Sequence, residues 1–541
     1  MSAAREGTRT DVLVVGAGFA GLAALAMLHR EGFDVVGVER EHEVGGTWYV
    51  NRYPGLRCDV ESMHYSYSWD DDLQQEWTWS ERYASQPEIL SYARHVVDRF
   101  DLRRDIRFDT AVTALRFDPV HDRWAATLSD GSTVDAQWVV LATGALSTPK
   151  PIDIPGAEEF RGEVLHTAEW PHEPVSFAGK RVAVIGTGSS GIQVATEIAK
   201  DAEHLYVLQR TPSYSMPARN RPLTPDEVAR WKARYPDIRE AGRHSLDGLA
   251  SPMTGKNAFE VDEHERRARY EEIYRAGLPF AFFGVFDDVL VDDDANRSVE
   301  EFLAEKIRER VDDPALAEKL IPSGAPFGTR RSCLDSGYYE IFNQRNVTLV
   351  ALRESPIVSI TPRGIDTTRE SLTVDAIVYA TGYDAFTGTP TAIDIVGAEG
   401  ATLAETWADG ARSYLGLMVA GFPNLFLVTG PQSPSVLSNV IVSIEQHVEW
   451  ITRALADARR DGVVRMEATR DAEQEWVDHT RAVAESTVYR DASSWYVGAN
   501  VAGKPRVVLP YVGGVGGFRE RCEEVAADGY RGFARRVREL A

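Results

Sequence analysis

An α/β fold of two parallel-sheet domains is predicted from three observations. Two β-α-β units, each about 30 residues long, begin at Asp11 and at Arg181. Two further apolar runs, 138–144 and 377–382, both end in Ala-Thr-Gly, as strands do when they feed a turn at the ligand edge of a sheet. Between those two runs, residues 224–312 are charged and helical in pattern.

The elements follow in order. Residues 11–16 (DVLVVG) form an apolar strand. Leu22, Leu25, Ala26 and Leu28 share one side of the helix that follows, and the run Val35 to Val38 ends at Glu39. Residues 147–155 carry Pro149, Pro151 and Pro155 and read as an extended crossover between domains. The second unit repeats the pattern with RVAVIG, a helix over about 190–200, and LYVLQR. A helical insertion over about 224–328 belongs to the second domain. Residues 414–430 are the most apolar stretch, but Gly416, Gly421, Pro423 and Asn424 break it, so it reads as buried strands and not as a membrane span. Residues 1–150 and 382–541 are therefore expected to form one domain and 151–381 the other.

Composition narrows the function. Apolar residues make up 43% and charged residues 26%, an ordinary globular balance. Fifty-nine basic against 82 acidic residues leave a net charge of -23, a field that repels nucleic acid and anionic membrane. An anionic ligand must then be held by local cations or helix N-termini. Cys58, Cys333 and Cys522 lie far apart, which excludes a disulfide scaffold, a zinc ribbon and a dithiol redox centre. Residues 1–10 are polar, with no apolar signal core. The expectation is a cytoplasmic protein, monomer or homodimer, with no metal, no nucleic acid and no membrane partner.

Two glycine fingerprints carry the chemistry. In Gly16-x-Gly18-x-x-Gly21 the first glycine permits the tight turn, the second lets backbone approach a pyrophosphate, and the third lets helix and strand pack closely. The helix N-terminus adds free N–H groups and about half a positive charge. Glu39 falls 23 residues after Gly16, where a carboxylate accepts both ribose hydroxyls. In Gly186-x-Gly188-x-x-Gly191 the same spacing lands on Gln209, followed by Arg210 and Thr211. A carboxylate would repel a 2′-phosphate, whereas Arg210 pairs with one. Thr187, Ser189, Ser190 and Gln193 lie in this second turn and can add hydroxyl or amide donors. The chain thus reads as holding FAD in the first site and NADPH in the second, with hydride passing from nicotinamide to flavin. Without a cysteine pair near the flavin, the disulfide-reductase layout is excluded and O2 becomes the leading oxidant.

Phe160-x-Gly162-x-x-x-His166-x-x-x-Trp170-Pro171, between the two turns, resembles the fingerprint of type I Baeyer–Villiger monooxygenases. Gly45-Gly-Thr-Trp48, Arg52-Tyr-Pro-Gly-Leu-Arg-Cys-Asp59, Arg330-Arg331 ahead of Asp335-Ser-Gly-Tyr-Tyr339, and Ser494-Trp-Tyr-Val-Gly-Ala-Asn500 are similar to the same family. The likeness covers nearly the whole chain. Residues 81–87 and 443–450 resemble the phenylacetone and steroid monooxygenase branch. Arg330 departs from the lysine common in relatives, but either cation can hold a 2′-phosphate.

The resemblance implies a reaction: NADPH reduces FAD, O2 forms a C4a-peroxyflavin anion, and the anion attacks a ketone to give an ester or lactone. It also implies roles. Arg331 matches the active-site arginine and Asp59 its partner carboxylate, both beside the flavin. Thr47, Trp48 and Tyr65 match positions near the flavin, and Arg330 faces the 2′-phosphate. Trp495 lies on a loop that closes over NADP. His166 and Trp170 take a structural or hinge role near the domain linker. Two other readings compete with this one: a flavin monooxygenase that oxygenates nitrogen or sulfur, and a non-catalytic NADPH-binding flavoprotein.

Overall fold

The computed structural model describes residues 7–251 and 254–538. The first sheet centres on the strand Thr8–Val15. Val35–Val38 and then Ile106–Arg107 lie on one side of it, and Thr133–Leu141 lies on the other, all parallel. The long strand Thr133–Leu141 serves two neighbours. Its first half pairs antiparallel with Arg123–Leu128, and its second half pairs parallel with Leu425–Leu427. Val112–Asp118 and Asp394–Val396 complete the edge. The run Val12-Leu13-Val14 is fully buried, as expected for a central parallel strand covered on both faces.

The second sheet is wholly parallel, in the order Val347–Ala351, His204–Gln209, Arg181–Ile185, Ala376–Tyr379, Glu163–His166. Helix Ser189–Ile198 makes the crossover from Arg181–Ile185 to His204–Gln209. Strands that follow Thr381 in sequence, Asp394–Val396 and Leu425–Leu427, join the first sheet. The two crossings between sheets run side by side. Lys150 N–H donates to the Gly382 carbonyl (3.1 Å), Asp384 N–H to Thr148 (2.9 Å) and Phe386 N–H to Ala145 (2.8 Å).

Residues 225–320 contain helices Pro225–Arg243, Glu263–Ala276, Asp293–Arg310 and Pro314–Leu320, capped by the side chains of Thr224, Asp262, Asp292 and Asp313. This insertion interrupts the second sheet in sequence but packs chiefly elsewhere. Tyr235, Tyr270, Phe282, Phe286 and Phe302 share one apolar cluster with Val12, Val14 and Leu22 of the first sheet's layer. Only its last turns, through Ile307, Ala317 and Leu320, join the second sheet's core. The guanidinium of buried Arg239 fixes the docking by donating to the His64 carbonyl (3.0 Å) and Ser66 Oγ (2.8 Å). Assigning the insertion to the second domain therefore holds for chain order and not for packing.

The expectation of strands over 414–430 is also corrected. One short strand, Leu425–Leu427, forms there, and the rest is buried turn with Leu415, Asn424 and Thr429 left-handed. The glycines, Pro423 and Asn424 that break the apolar run stop it from extending. Among the described residues no helix is long and apolar enough to cross a membrane, and all three cysteines are free and buried.

Candidate active site between two dinucleotide turns

The first turn follows the strand Thr8–Val15. Gly16 has φ +103°, and a Cβ there would stand 2.6 Å from the Ala142 carbonyl oxygen; one on Gly21 would stand 1.9 Å from the Gly16 carbonyl. Gly46, with φ +53°, lies so close that its Cβ would come within 2.9 Å of Gly18 Cα. Gly46 thus lets the loop before Trp48 approach the turn, while a Cβ on Gly45 would meet the Leu90 side chain at 2.7 Å. Glu39 stands at the end of Val35–Val38, buried, with Ala17 N–H donating to one carboxylate oxygen (2.6 Å) and Glu41 N–H to the other (2.9 Å). Each oxygen retains a lone pair for a ribose hydroxyl. Burial raises the Glu39 pKa, and the two N–H groups pull it back only in part. A side-chain-free cradle ending in a fixed carboxylate fits the adenosine diphosphate half of FAD.

At the second turn Gly186 and Gly191 repeat that geometry, with Cβ atoms that would stand 2.3 Å from the Ala380 carbonyl and 2.0 Å from the Gly186 carbonyl. Gly188 differs, because a Cβ there would meet nothing within 4 Å. The Gln209 amide turns away to donate to the Lys319 carbonyl (2.7 Å). Cations gather instead. Burial and then the nearby guanidiniums of Arg210 and Arg353 depress the pKa of Arg330, whose Nε is buried without a partner. Burial and Arg210 depress that of Lys150. The carboxylate next to Arg353, Glu354, is already taken by Lys319 and Arg369. Cations crowded together without a carboxylate among them fit a 2′-phosphate, and so the second site fits NADPH.

The hydroxyls predicted for this turn already have partners within the protein. Thr187 Oγ donates to the Thr211 carbonyl (3.0 Å), and Ser189 Oγ lies 3.2 Å from Cys333 Sγ. Tyr53 OH reaches Ser190 Oγ (3.1 Å) and Gln193 Oε1 (3.0 Å), while Gln193 Nε2 donates to the Arg57 carbonyl (3.1 Å). Ser190 and Gln193 thus tie this helix to the 52–59 loop, and the exposed backbone of the turn is left to meet the pyrophosphate.

That loop ends at Asp59. Arg331 Nη2 donates to Asp59 Oδ1 (2.8 Å) and Nε to Oδ2 (2.5 Å), a bidentate clamp, while Nη1 donates to the Val436 carbonyl (2.5 Å). The guanidinium lies over the Phe280 ring, 4.7 Å from its centroid. Burial opposes the Arg331 charge, but Asp59 more than offsets it, so the pKa lies above the ordinary arginine value. The structure therefore brings Asp59 and Arg331 together from positions 272 residues apart. A small crevice lined by Pro212, Tyr214, Thr329, Arg330 and Arg331 adjoins this clamp.

Trp48 is buried and donates from Nε1 to Tyr65 OH (3.0 Å), while neighbouring Thr47 accepts from Asn51. Trp495 packs on Phe386 and Tyr496. His166 sits on the edge strand beside the crossing, with Nε2 3.4 Å from Thr381 Oγ, and Trp170 is buried against Tyr53 and Phe177. Sequence reasoning missed Lys150, Arg353, Phe280 and Val436. Lys150 lies within the proline-rich crossover, between Pro149 and Pro151, the one signal that could have marked it. Phe280 and Val436 reach Arg331 from segments whose approach no spacing reveals.

A family model described as flavin-binding monooxygenase-like matches residues 9–224. The chain is 42% identical over 530 residues, 97% of its length and 99% of the relative's, to acetone monooxygenase (methyl acetate-forming) of Gordonia sp. (strain TY-5). It is 39% identical over 531 residues, 97% of each, to phenazine N-monooxygenase PhzNO1 of Lysobacter antibioticus. Among solved structures it is similar to an oxidized steroid monooxygenase bound to NADP, with 49% identity and a TM-score of 0.93 over 98% of this chain and 99% of that one.

Proposed function

The chain belongs to the Baeyer–Villiger monooxygenases, and from that premise we propose that it uses FAD, NADPH and O2 to insert one oxygen atom beside the carbonyl of a ketone, giving an ester or lactone. The observation that carries this reading is the Arg331–Asp59 clamp at the meeting of the two sites.

When bound and reduced by NADPH, FAD supplies the oxygen-activating chemistry. Glu39 and the Gly16–Gly21 turn would hold that cofactor, and Arg210, Arg330, Arg353 and Lys150 would hold the other. Arg331 has five N–H bonds; three are engaged by Asp59 and Val436, which leaves one on Nη1 and one on Nη2 for oxygen-bearing anions. Those two donors would stabilise negative charge on activated oxygen and on the oxyanion that a ketone carbonyl becomes. Preorganised donors of this kind contribute about 3–4 kcal/mol each. Asp59 fixes the fork so that no reorganisation accompanies the charge. Trp495 and its loop exclude water, which would otherwise divert the oxygen to hydrogen peroxide.

The N-oxygenating relative gives a second reading some ground. A nitrogen or sulfur atom, however, attacks oxygen that carries a proton, and a fixed guanidinium disfavours that proton. The net charge of -23 supports a protein without a nucleic-acid partner.

The test is incubation of the FAD-loaded protein with NADPH, 18O2 and a panel of linear, cyclic and steroid ketones. Esters or lactones with one 18O atom are expected, and Arg331→Ala should lower that rate about 10²–10³-fold while NADPH still reduces the flavin. Untouched ketones alongside oxygenated amines or sulfides would replace the first reading by the second.

A further inference from the structure

We infer that Lys504 and Asp384 form a clasp by which the interdomain crossing holds the 493–504 segment over the second dinucleotide site, so that Lys504 is a positioning residue for nicotinamide cofactor binding and turnover. The inference rests on the reading that this second site takes NADPH. Lys504 Nζ donates to Asp384 Oδ1 (2.5 Å) and to the Ala385 carbonyl (2.8 Å), with 12% of the side chain exposed. Asn500 Nδ2 donates to the Tyr383 carbonyl (2.8 Å), and the Trp495 ring lies 6.4 Å from that of Phe386. Four consecutive residues, 383–386, thus each receive a contact from one segment. They form one of the two chain crossings between the sheets, and Phe386 within them is held left-handed at φ +64°, a strained conformation for an aromatic residue.

The other end of the segment grips the arginine turn. Ser494 Oγ donates to the Thr329 carbonyl (2.7 Å), and Arg330 Nη2 donates to the Ser493 carbonyl (3.3 Å). One short span therefore joins the crossing to the residues flanking Arg331. Any rotation at the crossing must carry the segment along or break the clasp. An ammonium with one carboxylate and one carbonyl partner suits this task, since its removal leaves the Asp384 carboxylate with only the Thr387 hydroxyl (3.3 Å) among its side-chain contacts.

The test compares Lys504→Met, Lys504→Arg, Asp384→Asn and the Lys504→Met/Asp384→Asn double variant as FAD-loaded proteins. The readouts are NADP+ affinity, chymotryptic cleavage at Trp495 with and without NADP+, and the share of NADPH oxidised to hydrogen peroxide. Lys504→Met should weaken NADP+ about ten-fold, abolish protection of Trp495 and raise the peroxide share. Lys504→Arg should restore all three. The double variant should be no worse than either single one, because both remove the same contact. Unchanged affinity and protection in Lys504→Met, or additive losses in the double variant, would overturn the clasp. A wild-type protein that binds neither NADP+ nor NADPH would overturn the assignment of the second site, and the clasp with it.

Discussion

At the first phosphate turn the outer glycines meet the Ala142 and Gly16 carbonyls, and at the second they meet the Ala380 and Gly186 carbonyls at distances that agree within 0.3 Å. The middle glycines part company: Gly18 is backed by Gly46, and Gly188 faces open space. The surroundings part company further. A buried carboxylate, Glu39, ends the first cradle, whereas guanidiniums and an ammonium crowd the second. The repeated motif therefore builds the turn, and the residues outside it select the ligand. One cradle is closed on protein and suits a cofactor that stays; the other is open and suits one that comes and goes.

The largest expected break comes from the glycines. Gly16→Ala places a side chain on a left-handed backbone against the Ala142 carbonyl, a strain of about 1–3 kcal/mol before the clash is counted. Such a variant should emerge without flavin. Gly188→Ala, at φ -81°, meets no protein atom within 4 Å and should keep its fold and its full flavin absorbance while the KM for NADPH rises. Equal flavin loss in both variants would show that the two cradles are not differently closed.

Charge gives the next effect. Removing one charged hydrogen-bond partner costs about 1.5–3 kcal/mol, so Arg330→Ala should raise the KM for NADPH roughly 10–100-fold and leave that for NADH unchanged. Because burial and then Arg210 and Arg353 disfavour the Arg330 charge, which offsets its bond to the Ser493 carbonyl, the same substitution should change the melting temperature little. A fall in melting temperature with an unaltered NADPH preference would make Arg330 a structural residue.

The outer frame of this site was legible in the sequence because backbone demands write themselves as glycine. Gly16, Gly21, Gly186 and Gly191 have no substitute at these approaches, and Glu39 follows at a spacing set by one helix and one strand. The pairing of Arg331 with Asp59 came only through family resemblance, since a separation of 272 positions carries no local signal. Counting 23 residues from Gly186 reached Gln209, but only the fold shows its amide turned to Lys319. The insertion misled for a similar reason: chain order placed it in the second domain, while its aromatic face found the larger apolar surface beside the first.

The smallest effect concerns protons and separates the cradles without altering their shape. Burial holds the Glu39 pKa above its ordinary 4.5 in the cofactor-free protein, so neutral Glu39 suits the empty fold. That contribution to stability is complete below 4.5 and is lost as pH rises through the raised value. Flavin binding runs the opposite way, because ribose hydroxyls donate to the ionised carboxylate. Acidification should therefore weaken FAD, by at most about tenfold per pH unit for a single proton, in a window that begins above the ordinary glutamate range. The second cradle has no such group, for even a depressed arginine stays charged across that window, and only the 2′-phosphate itself titrates there. Flavin fluorescence measured from pH 8 down through the ordinary glutamate value of 4.5 should show FAD release in the wild type and a flat, uniformly weaker affinity in Glu39→Gln. A wild-type profile as flat as that of Glu39→Gln would mean that the carboxylate does not hold the ribose, and the contrast between an acid-gated and a cation-gated cradle would fall.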